Sequence, residues 1–282
     1  MGKRILTVDN ISKSYGDKHV LENINITLNQ GELVSILGVS GVGKTTLFNV
    51  LSGLIMPDSG NVTLYSHNSA SGIQSSVVSN NGNTDSDTGD EKEVAGGDST
   101  QTTDITGKTG YLSYMLQKDL LLPHKTVIEN AALPLLLNRM PKKKALKIAG
   151  EQFEHFGIEG TQYQYPAELS GGMRQRVALL RTYLCDKEVA LLDEPFSALD
   201  TITRASMQQW YIDMMKDIKL STLFITHDMD EAILLSDRIY ILKGSPASIA
   251  DEIIIDEPKP RNSEFGLTDK FLSYKKIIRD ML

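Results

Sequence analysis

The sequence predicts an α/β protein whose core is a mainly parallel β-sheet. In the second half of the chain, short apolar runs of strand length alternate with longer segments of helical pattern, as in strands joined by helical crossovers. Near residue 38 a glycine-rich turn joins a compact apolar strand to a helix-like run. The chain has 282 residues, 40% of them hydrophobic and 23% charged, so it is long enough and apolar enough to bury such a core.

The first 65 residues predict short strands on both sides of the glycine-rich turn. Leu21, Ile24, Ile26 and Leu28 mostly alternate with polar residues, which is the period-two pattern of a half-buried strand. Residues 57–60, Pro-Asp-Ser-Gly, predict a turn, because proline presets φ and glycine accepts φ above zero. The predicted elements are strands at 19–28, 32–37 and 62–65 and a helix at 45–54.

Residues 66–103 differ in composition from the rest of the chain. These 38 residues include eight serines, five threonines and five glycines, and none of them is aromatic. Such a segment cannot bury enough apolar surface to offset the entropy lost on ordering, so we expect a disordered insertion here. It carries a net charge of −5 out of the −7 of the whole chain, which leaves the remaining residues nearly neutral.

Regular structure is expected to resume at residue 110. Residues 189–192, Val-Ala-Leu-Leu, form a continuous apolar run of the kind found in fully buried parallel strands. Phe271, Tyr274, Ile278 and Met281 recur at near-helical spacing, which predicts an amphipathic helix docked on the domain. Further predicted elements are strands at 110–116, 222–226 and 239–242 and helices at 126–157, 172–184 and 202–219.

The composition disfavours several classes of protein. A single cysteine, Cys185, cannot form an internal disulfide, so a reducing compartment is expected. The basic start is followed by too few apolar residues for a secretion signal, and no stretch approaches the ~18 consecutive apolar residues of a membrane span. The acidic balance, with a pI of about 5.3, argues against nucleic acid as a partner.

The glycine-rich turn carries a phosphate-binding motif. Residues 38–45 read Gly-Val-Ser-Gly-Val-Gly-Lys-Thr and fit the pattern G-x-x-x-x-G-K-[ST]. The glycines let the backbone curl so that successive N–H groups face phosphate oxygens, and the following helix adds its N-terminal dipole. In this motif Lys44 reaches the β- and γ-phosphates, and the Thr45 hydroxyl binds Mg²⁺.

Two adjacent carboxylates end the apolar run at 189–192. Asp193 lies at the carboxyl end of that strand, where ligands bind in α/β sheets, and it is placed to hold Mg²⁺ through water. The carboxylate of Glu194 can lie beside the γ-phosphate and polarise an attacking water as a general base. Together with the phosphate-binding loop, these residues predict a Mg²⁺-dependent nucleotide hydrolase.

Residues 169–176, Leu-Ser-Gly-Gly-Met-Arg-Gln-Arg, offer a second anion site. Ser170 is a natural N-cap, and Gly171 and Gly172 expose backbone N–H groups at a helix start. Because the loop at 38–45 already holds the phosphates of one nucleotide, two copies of such a protein can close an ATP between them. In these motifs and their order, the sequence resembles the ATP-binding subunits of ABC transporters.

The resemblance covers residues 4–250 apart from 66–103, and it implies a fold and further site residues. The fold is that of the P-loop NTPases, in its ABC ATPase form: a mainly parallel core sheet, an N-terminal antiparallel β-subdomain and a helical subdomain with the signature motif. The resemblance implies that Gln117 and His227 sense the γ-phosphate, that residues 197–200 couple the two nucleotide sites, and that Tyr15 stacks on adenine. The expected site residues are Glu194, His227 and Gln117 for catalysis, Thr45, Gln117 and Asp193 for Mg²⁺, and Tyr15, Gly38, Val39, Ser40, Gly41, Val42, Gly43, Lys44, Thr45, Thr46, Ser170, Gly171 and Gly172 for ATP.

The resemblance also implies domains and partners. One ATPase domain spans residues 1–250, and a tail spans 251–282. Two copies form a homodimer on a separate membrane permease, served by an extracytoplasmic solute-binding protein, at the cytoplasmic face of the cell membrane. Residues 115–123, 169–176 and the tail are similar to the branch that imports nitrate, sulfonate, taurine and pyrimidine precursors, so import is expected. A soluble ATPase without a transport role and a catalytically silent regulatory module remain alternatives.

Overall fold

The computed structural model describes residues 2–66, 100–218, 220–261 and 264–282. Most of the insertion predicted at 66–103 lies outside these residues. Its two ends do not, and they are strand: Ser66 closes one strand and Gln101 opens the next, with the two residues paired. The predicted boundaries were wrong at both ends, because polar residues at the edge of a sheet are held by backbone hydrogen bonds and not by burial of their side chains.

The described residues contain ten strands, which form one sheet: β1 Arg4–Tyr15, β2 Lys18–Asn29, β3 Leu33–Leu37, β4 Ser59–Ser66, β5 Gln101–Asp104, β6 Ser113–Met115, β7 Val189–Asp193, β8 Ser221–Thr226, β9 Arg238–Gly244 and β10 Ala247–Ile254. Their order across the sheet is β5-β4-β1-β2-β10-β9-β3-β8-β7-β6. Strands β9, β3, β8, β7 and β6 run parallel to one another, whereas β1, β2, β4 and β5 form an antiparallel group. This confirms the predicted α/β class with a mainly parallel core.

Strand β10 joins the two parts of the sheet. It pairs antiparallel with β9 along most of its length and parallel with β2 at one position, Ala247 beside Leu21. The sequence pattern does not predict this strand, because its polar and apolar residues do not alternate cleanly. Since β10 extends to Ile254, the first four residues of the predicted tail belong to the sheet.

Helices cover the parallel strands and fill the connection between β6 and β7. The helical region predicted at 126–157 consists of three helices. Pro134 is the second residue of the second helix and Pro141 is the N-cap of the third, so each proline lies at a helix start. Among the described helices, none is long and apolar enough to span a membrane. The helices are α1 Lys44–Leu51, α2 Val127–Ala131, α3 Leu133–Leu137, α4 Lys142–Glu151, α5 Gly171–Tyr183, α6 Thr201–Asp217, α7 Met229–Leu235 and α8 Asp269–Met281.

The buried apolar side chains of the described residues form three separate clusters. One lies under α2 to α6 and includes Phe153, Phe156 and Phe196. A second lies between the antiparallel strands and α1. The tail helix α8 packs on α7, with Phe271 and Ile278 buried in a third cluster. The loop at 38–45 is therefore supported by the sheet, while α5 is supported by the cluster under α2 to α6.

Candidate functional site

The loop at 38–45 leads from β3 into α1. Both sheet neighbours of β3 are parallel strands, so the loop lies at the carboxyl edge of the sheet. A Cβ on Gly38 would lie 2.6 Å from the carbonyl oxygen of Leu242, and Gly43 has a φ of +120°. These glycines are required by close approach and by backbone conformation, respectively. The chain at 39–41 is exposed, Val42 and Thr46 are half-buried, and Thr45 is exposed.

Lys44 is buried at the centre of this loop, with 5% of its side chain exposed. Its ammonium donates to the carbonyl oxygens of Gly38 and Val39, at 2.8 and 3.1 Å. Burial lowers the pKa of Lys44, while the charges of Glu194 and Asp193 act in the opposite direction. The loop thus holds a buried ammonium group beside the exposed residues 39–41, which is the arrangement that binds nucleotide phosphates in this motif.

Asp193 ends β7 and lies beside the loop. It is 4% exposed, and burial raises the pKa of its carboxyl group, opposed by hydrogen bonds from Tyr114 and Thr45 and by the charge of Lys44. The Tyr114 hydroxyl donates to Asp193 Oδ2 at 3.3 Å and also lies 3.4 Å from Asn49 Oδ1. Nothing in the sequence pattern singles out Tyr114. Its hydroxyl reaches Asp193 because β6 pairs with β7, and this pairing is seen only in the structure.

Glu194 is the residue on which the predicted site converges. Its Oε2 accepts a hydrogen bond from Gln117 Nε2 at 3.1 Å, and its Oε1 lies 3.2 Å from His227 Nδ1 and 3.9 Å from Lys44 Nζ. Its backbone is in the left-handed region, with a φ of +45°. Such a conformation is uncommon for a residue with a side chain and turns the carboxylate out of the strand direction. Three residues from separate parts of the chain therefore meet at the carboxylate of a fourth.

The segment after Glu194 is held by local hydrogen bonds. Ser197 Oγ donates to the carbonyl oxygen of Glu194 at 3.0 Å. Asp200 caps α6 by accepting from the backbone N–H groups of Ile202 and Thr203. The four residues 197–200 thus form a tight turn anchored at both ends, directly behind the carboxylate.

Ser170, Gly171 and Gly172 lie outside the Glu194 cluster. Ser170 is exposed and caps α5, its hydroxyl accepting from the N–H of Met173 at 3.3 Å. Among the described residues, no hydrogen bond or ion pair joins this helix start to Lys44 or to Glu194. The structure therefore brings together the residues predicted for one half of a nucleotide site. The other half lies apart from them, with Ser170 exposed, Gly171 half-buried and Gly172 buried.

Tyr15 is 48% exposed at the turn between β1 and β2. The same hairpin contacts the phosphate-binding loop, since a Cβ on Gly43 would lie 3.1 and 3.2 Å from the side chains of Leu21 and Val20. The ammonium of Lys13 lies 5.8 Å from the Tyr15 ring centre. An exposed ring on a strand pair beside the loop is free to stack on a base.

The oxygen donors around Asp193 fit Mg²⁺. Hard cations of this kind take carboxylate, hydroxyl and amide oxygens and keep several ligands from water or phosphate. The Thr45 hydroxyl, the Asp193 carboxylate and the Gln117 amide supply such oxygens. No group of three or more His, Cys, Asp or Glu side chains in the described part of the chain could hold a metal alone. The donor set suits a cation whose remaining ligands come from a nucleotide.

A cavity of about 360 Å³ lies at the opposite edge of the sheet. It is lined by apolar side chains such as Leu33, Met215 and Leu234 and by the ion pair of Lys259 with Asp237. It contains none of the predicted site residues. Phosphate binding at the carboxyl edge depends on a glycine-rich surface loop and not on an enclosed apolar cavity.

Comparisons with known proteins identify the family of the chain. Residues 21–197 match the family model described as ABC transporter. The chain is 35% identical to the formylaminopyrimidine import ATP-binding protein ThiZ of Halalkalibacterium halodurans, over 100% of this chain and 98% of that protein. It is 34% identical to an uncharacterized ABC transporter ATP-binding protein of Methanocaldococcus jannaschii, over 98% and 91% of the two chains.

Solved structures show the same fold. The dimeric ATP-binding cassette MJ0796, in a post-hydrolysis state with ADP and Pi, matches with a TM-score of 0.65 and 25% identity over 90% of this chain and all of that one. The cbiO1 protein of Clostridium perfringens matches in fold, with a TM-score of 0.68 and 20% identity over 99% of this chain and 94% of that one. From motifs, geometry and these matches together, the chain belongs to the ABC transporter family of ATP-binding, ATP-hydrolysing subunits.

Proposed function

We propose that this chain binds ATP with Mg²⁺, hydrolyses it in a head-to-tail pair of copies, and drives solute import through a separate membrane permease. The observation that carries the proposal is the Glu194 carboxylate, held at once by Gln117, His227 and Lys44. A carboxylate fixed at the end of β7, beside a loop made for phosphates, is placed to orient and deprotonate a water.

The residues that one copy contributes to the proposed ATP site have separate tasks. Lys44 and the N–H groups at the start of α1 bind the phosphates, and Tyr15 stacks on the base. Thr45, Asp193 and Gln117 hold Mg²⁺, which neutralises charge on the phosphate oxygens. His227 lies against the same Glu194 oxygen that faces Lys44, so it can contact both the general base and the γ-phosphate region. The roles proposed for Glu194, Gln117 and His227 rest on contacts already formed within the chain.

The exposed start of α5 supports the paired arrangement. Ser170 and the two glycines after it supply N–H groups that this chain does not use for its own site. We propose that they complete the ATP site of a second copy, so that each interface holds two nucleotides. The description of MJ0796 as a dimer bound to ADP and Pi supports this arrangement for the shared fold.

Import is supported by the names of several relatives. ThiZ is named a formylaminopyrimidine import ATP-binding protein, and the match covers 100% of this chain and 98% of that protein. Sulfate/thiosulfate import proteins named CysA match at 32 to 33% identity. We propose a position at the cytoplasmic face of the membrane, with a permease docked near residues 117–130 and a solute-binding protein on the other side. Exposed Leu120 lies in that region, and exposed Leu116 directly precedes it.

The test is a pair of measurements on the purified chain. MgATP should be hydrolysed, as measured by phosphate release, and Glu194→Gln with MgATP should shift from monomer to dimer in analytical ultracentrifugation. A chain that neither hydrolyses nor pairs would contradict the proposal and favour a silent regulatory module. Copurification from membranes with a permease then separates transport from a soluble ATPase role, because a soluble ATPase would be recovered without one.

A further inference from the structure

Helix α5, which begins at the exposed half-site, also holds the segment that follows Gln117. Arg174 and Arg181 are seven residues apart, which is close to two turns, so both side chains lie on one face of the helix. Both guanidinium groups contact residues 119–120, in the loop between β6 and α2. None of the motifs assigns a role to either arginine or to Asp119.

Arg174 joins this loop to the residue before Ser170. Its Nε donates to Asp119 Oδ2 at 3.2 Å, and its Nη1 donates to the carbonyl oxygen of Leu169 at 3.0 Å. A guanidinium is planar and rigid, so two donors on one group fix the separation of their two acceptors. The position of the Leu169–Ser170 peptide is thus tied to the Asp119 carboxylate.

Arg181 holds the same loop by its backbone. Its Nη1 donates to the carbonyl oxygen of Leu120 at 2.9 Å, and its Nη2 donates to the carbonyl oxygen of Asp119. Leu120 is in the left-handed region with a φ of +46°, and Asp119 Oδ1 accepts from the N–H of Leu121. A leucine in this conformation requires support from its surroundings, and Arg181 and Asp119 provide it.

These contacts form a continuous path between the two halves of the site. Glu194 accepts from Gln117, the chain runs on to Asp119, and Arg174 then reaches Leu169, which precedes Ser170. The Arg174–Asp119 pair is partly exposed, with 38% and 30% of the two side chains accessible. Pairs exposed to this extent contribute little to stability. Its main effect is therefore expected on position and not on folding.

We propose that Arg174, Arg181 and Asp119 act as a clasp that positions the Ser170 half-site relative to Gln117, and that ATP-driven pairing of two copies depends on this clasp. The proposal rests on the proposed function, because the half-site acts only on the ATP of a second copy. The three are positioning residues: they touch neither nucleotide nor Mg²⁺ in this scheme. When Gln117 shifts its contact from Glu194 to a bound nucleotide, the clasp carries that shift to Ser170.

The experiment uses a Glu194→Gln parent, in which slow hydrolysis preserves the pair. Into it are placed Asp119→Asn, Arg174→Gln, both together, and Arg174→Lys. With MgATP, each single change should raise the dimer dissociation constant about tenfold, and the double change should be no worse than either single one, since the residues act through each other. Arg174→Lys should recover part of the loss. The affinity of the monomer for MgATP should not change, whereas a general structural defect would lower it.

The matched control is an exposed ion pair on the same group of helices, Lys147 with Glu151. Lys147→Gln and Glu151→Gln should leave pairing unchanged. Equal pairing by parent and clasp variants would overturn the clasp, and so would fully additive losses in the double variant. A parent that stays monomeric with MgATP would instead contradict the proposed function. Circular dichroism melts show that each variant is folded, and Arg181→Met, which keeps the apolar stem, gives an independent measure of the same clasp.

Discussion

The chain contains two glycine-bearing helix starts that look alike in sequence and differ in their surroundings. At the start of α1, Lys44 is buried and the loop faces carboxylates from β7. At the start of α5, Ser170 is exposed and only caps its own helix. Both offer backbone N–H groups to an anion. At the start of α1, this chain itself supplies the side chains that lie around the loop. At the start of α5, we propose that the rest of the site comes from a second copy.

The difference follows from which part of the core carries each helix. The loop before α1 is fixed to the sheet, because Gly38 lies against the backbone of β9 and Gly43 against β2. The start of α5 belongs to the helical cluster and is tied to the loop after Gln117. A rigid site for binding and a separately supported site for closure are what a protein that pairs around ATP requires.

The largest effect is expected for Glu194→Gln. The amide keeps the size of the side chain but cannot accept a proton, so ATP hydrolysis should fall about 10²- to 10⁴-fold while binding is retained. Phosphate release measures the loss, and nucleotide titration measures the affinity. Asp251→Asn, an exposed carboxylate on β10, is the control and should hydrolyse normally. Hydrolysis at the parent rate by Glu194→Gln would contradict the general-base assignment.

The next effect is expected for Lys44→Ala. It removes the buried cation that faces the phosphates, and charge-assisted hydrogen bonds of this kind contribute about 1.5–3 kcal/mol each. The affinity of the chain for ATP should therefore fall roughly 10- to 100-fold, as measured by calorimetry. Lys147→Ala, at an exposed position on α4, should bind as the parent does. An unchanged affinity would show that the loop binds phosphate through its backbone alone.

The same substitution in both helix starts tests the comparison directly. Gly43→Ala places a side chain at a φ of +120°, against Leu21 and Val20, so the free energy of unfolding should fall by about 1–3 kcal/mol. Gly171 has no positive φ, and the nearest neighbouring atom, in Leu199, would lie at an ordinary 3.4 Å. Gly171→Ala should therefore leave the unfolding free energy within about 0.5 kcal/mol of the parent. Equal losses in denaturant unfolding would show that the two starts are equally constrained.

The smallest effect is expected from replacing residues 67–100 with Asn-Gly. Ser66 and Gln101 are paired in adjacent antiparallel strands, so a two-residue turn can join them. Strand β5 is at the edge of the sheet furthest from β6. Several strands separate it from β3, which leads into the loop that carries Lys44. Hydrolysis should stay within about twofold of the parent rate, since no catalytic group moves. A loss of tenfold or more would show that residues 67–100 have a role that their composition does not indicate.

The sequence was most informative where backbone chemistry is local. The glycine spacing at 38–45 and the apolar run before Asp193 predicted both elements that the structure places side by side. It was less informative for β5 and β10, whose polar residues are held by backbone pairing with β4 and β9 and not by burial of their side chains. It gave no indication of the Tyr114 hydroxyl, because a tyrosine in a short strand reads as an ordinary packing residue.

The sequence alone determined the chemistry: a phosphate loop, a carboxylate pair and a second helix start, in an order that resembles one family. The tertiary structure decided the geometry, by bringing Gln117, His227 and Lys44 to one carboxylate and leaving Ser170 outside that cluster. The physical reason is that local motifs depend on φ, ψ and hydrogen bonds within a few residues. Contacts between side chains from separate strands and helices depend instead on the register of the sheet and on which helix packs on which face.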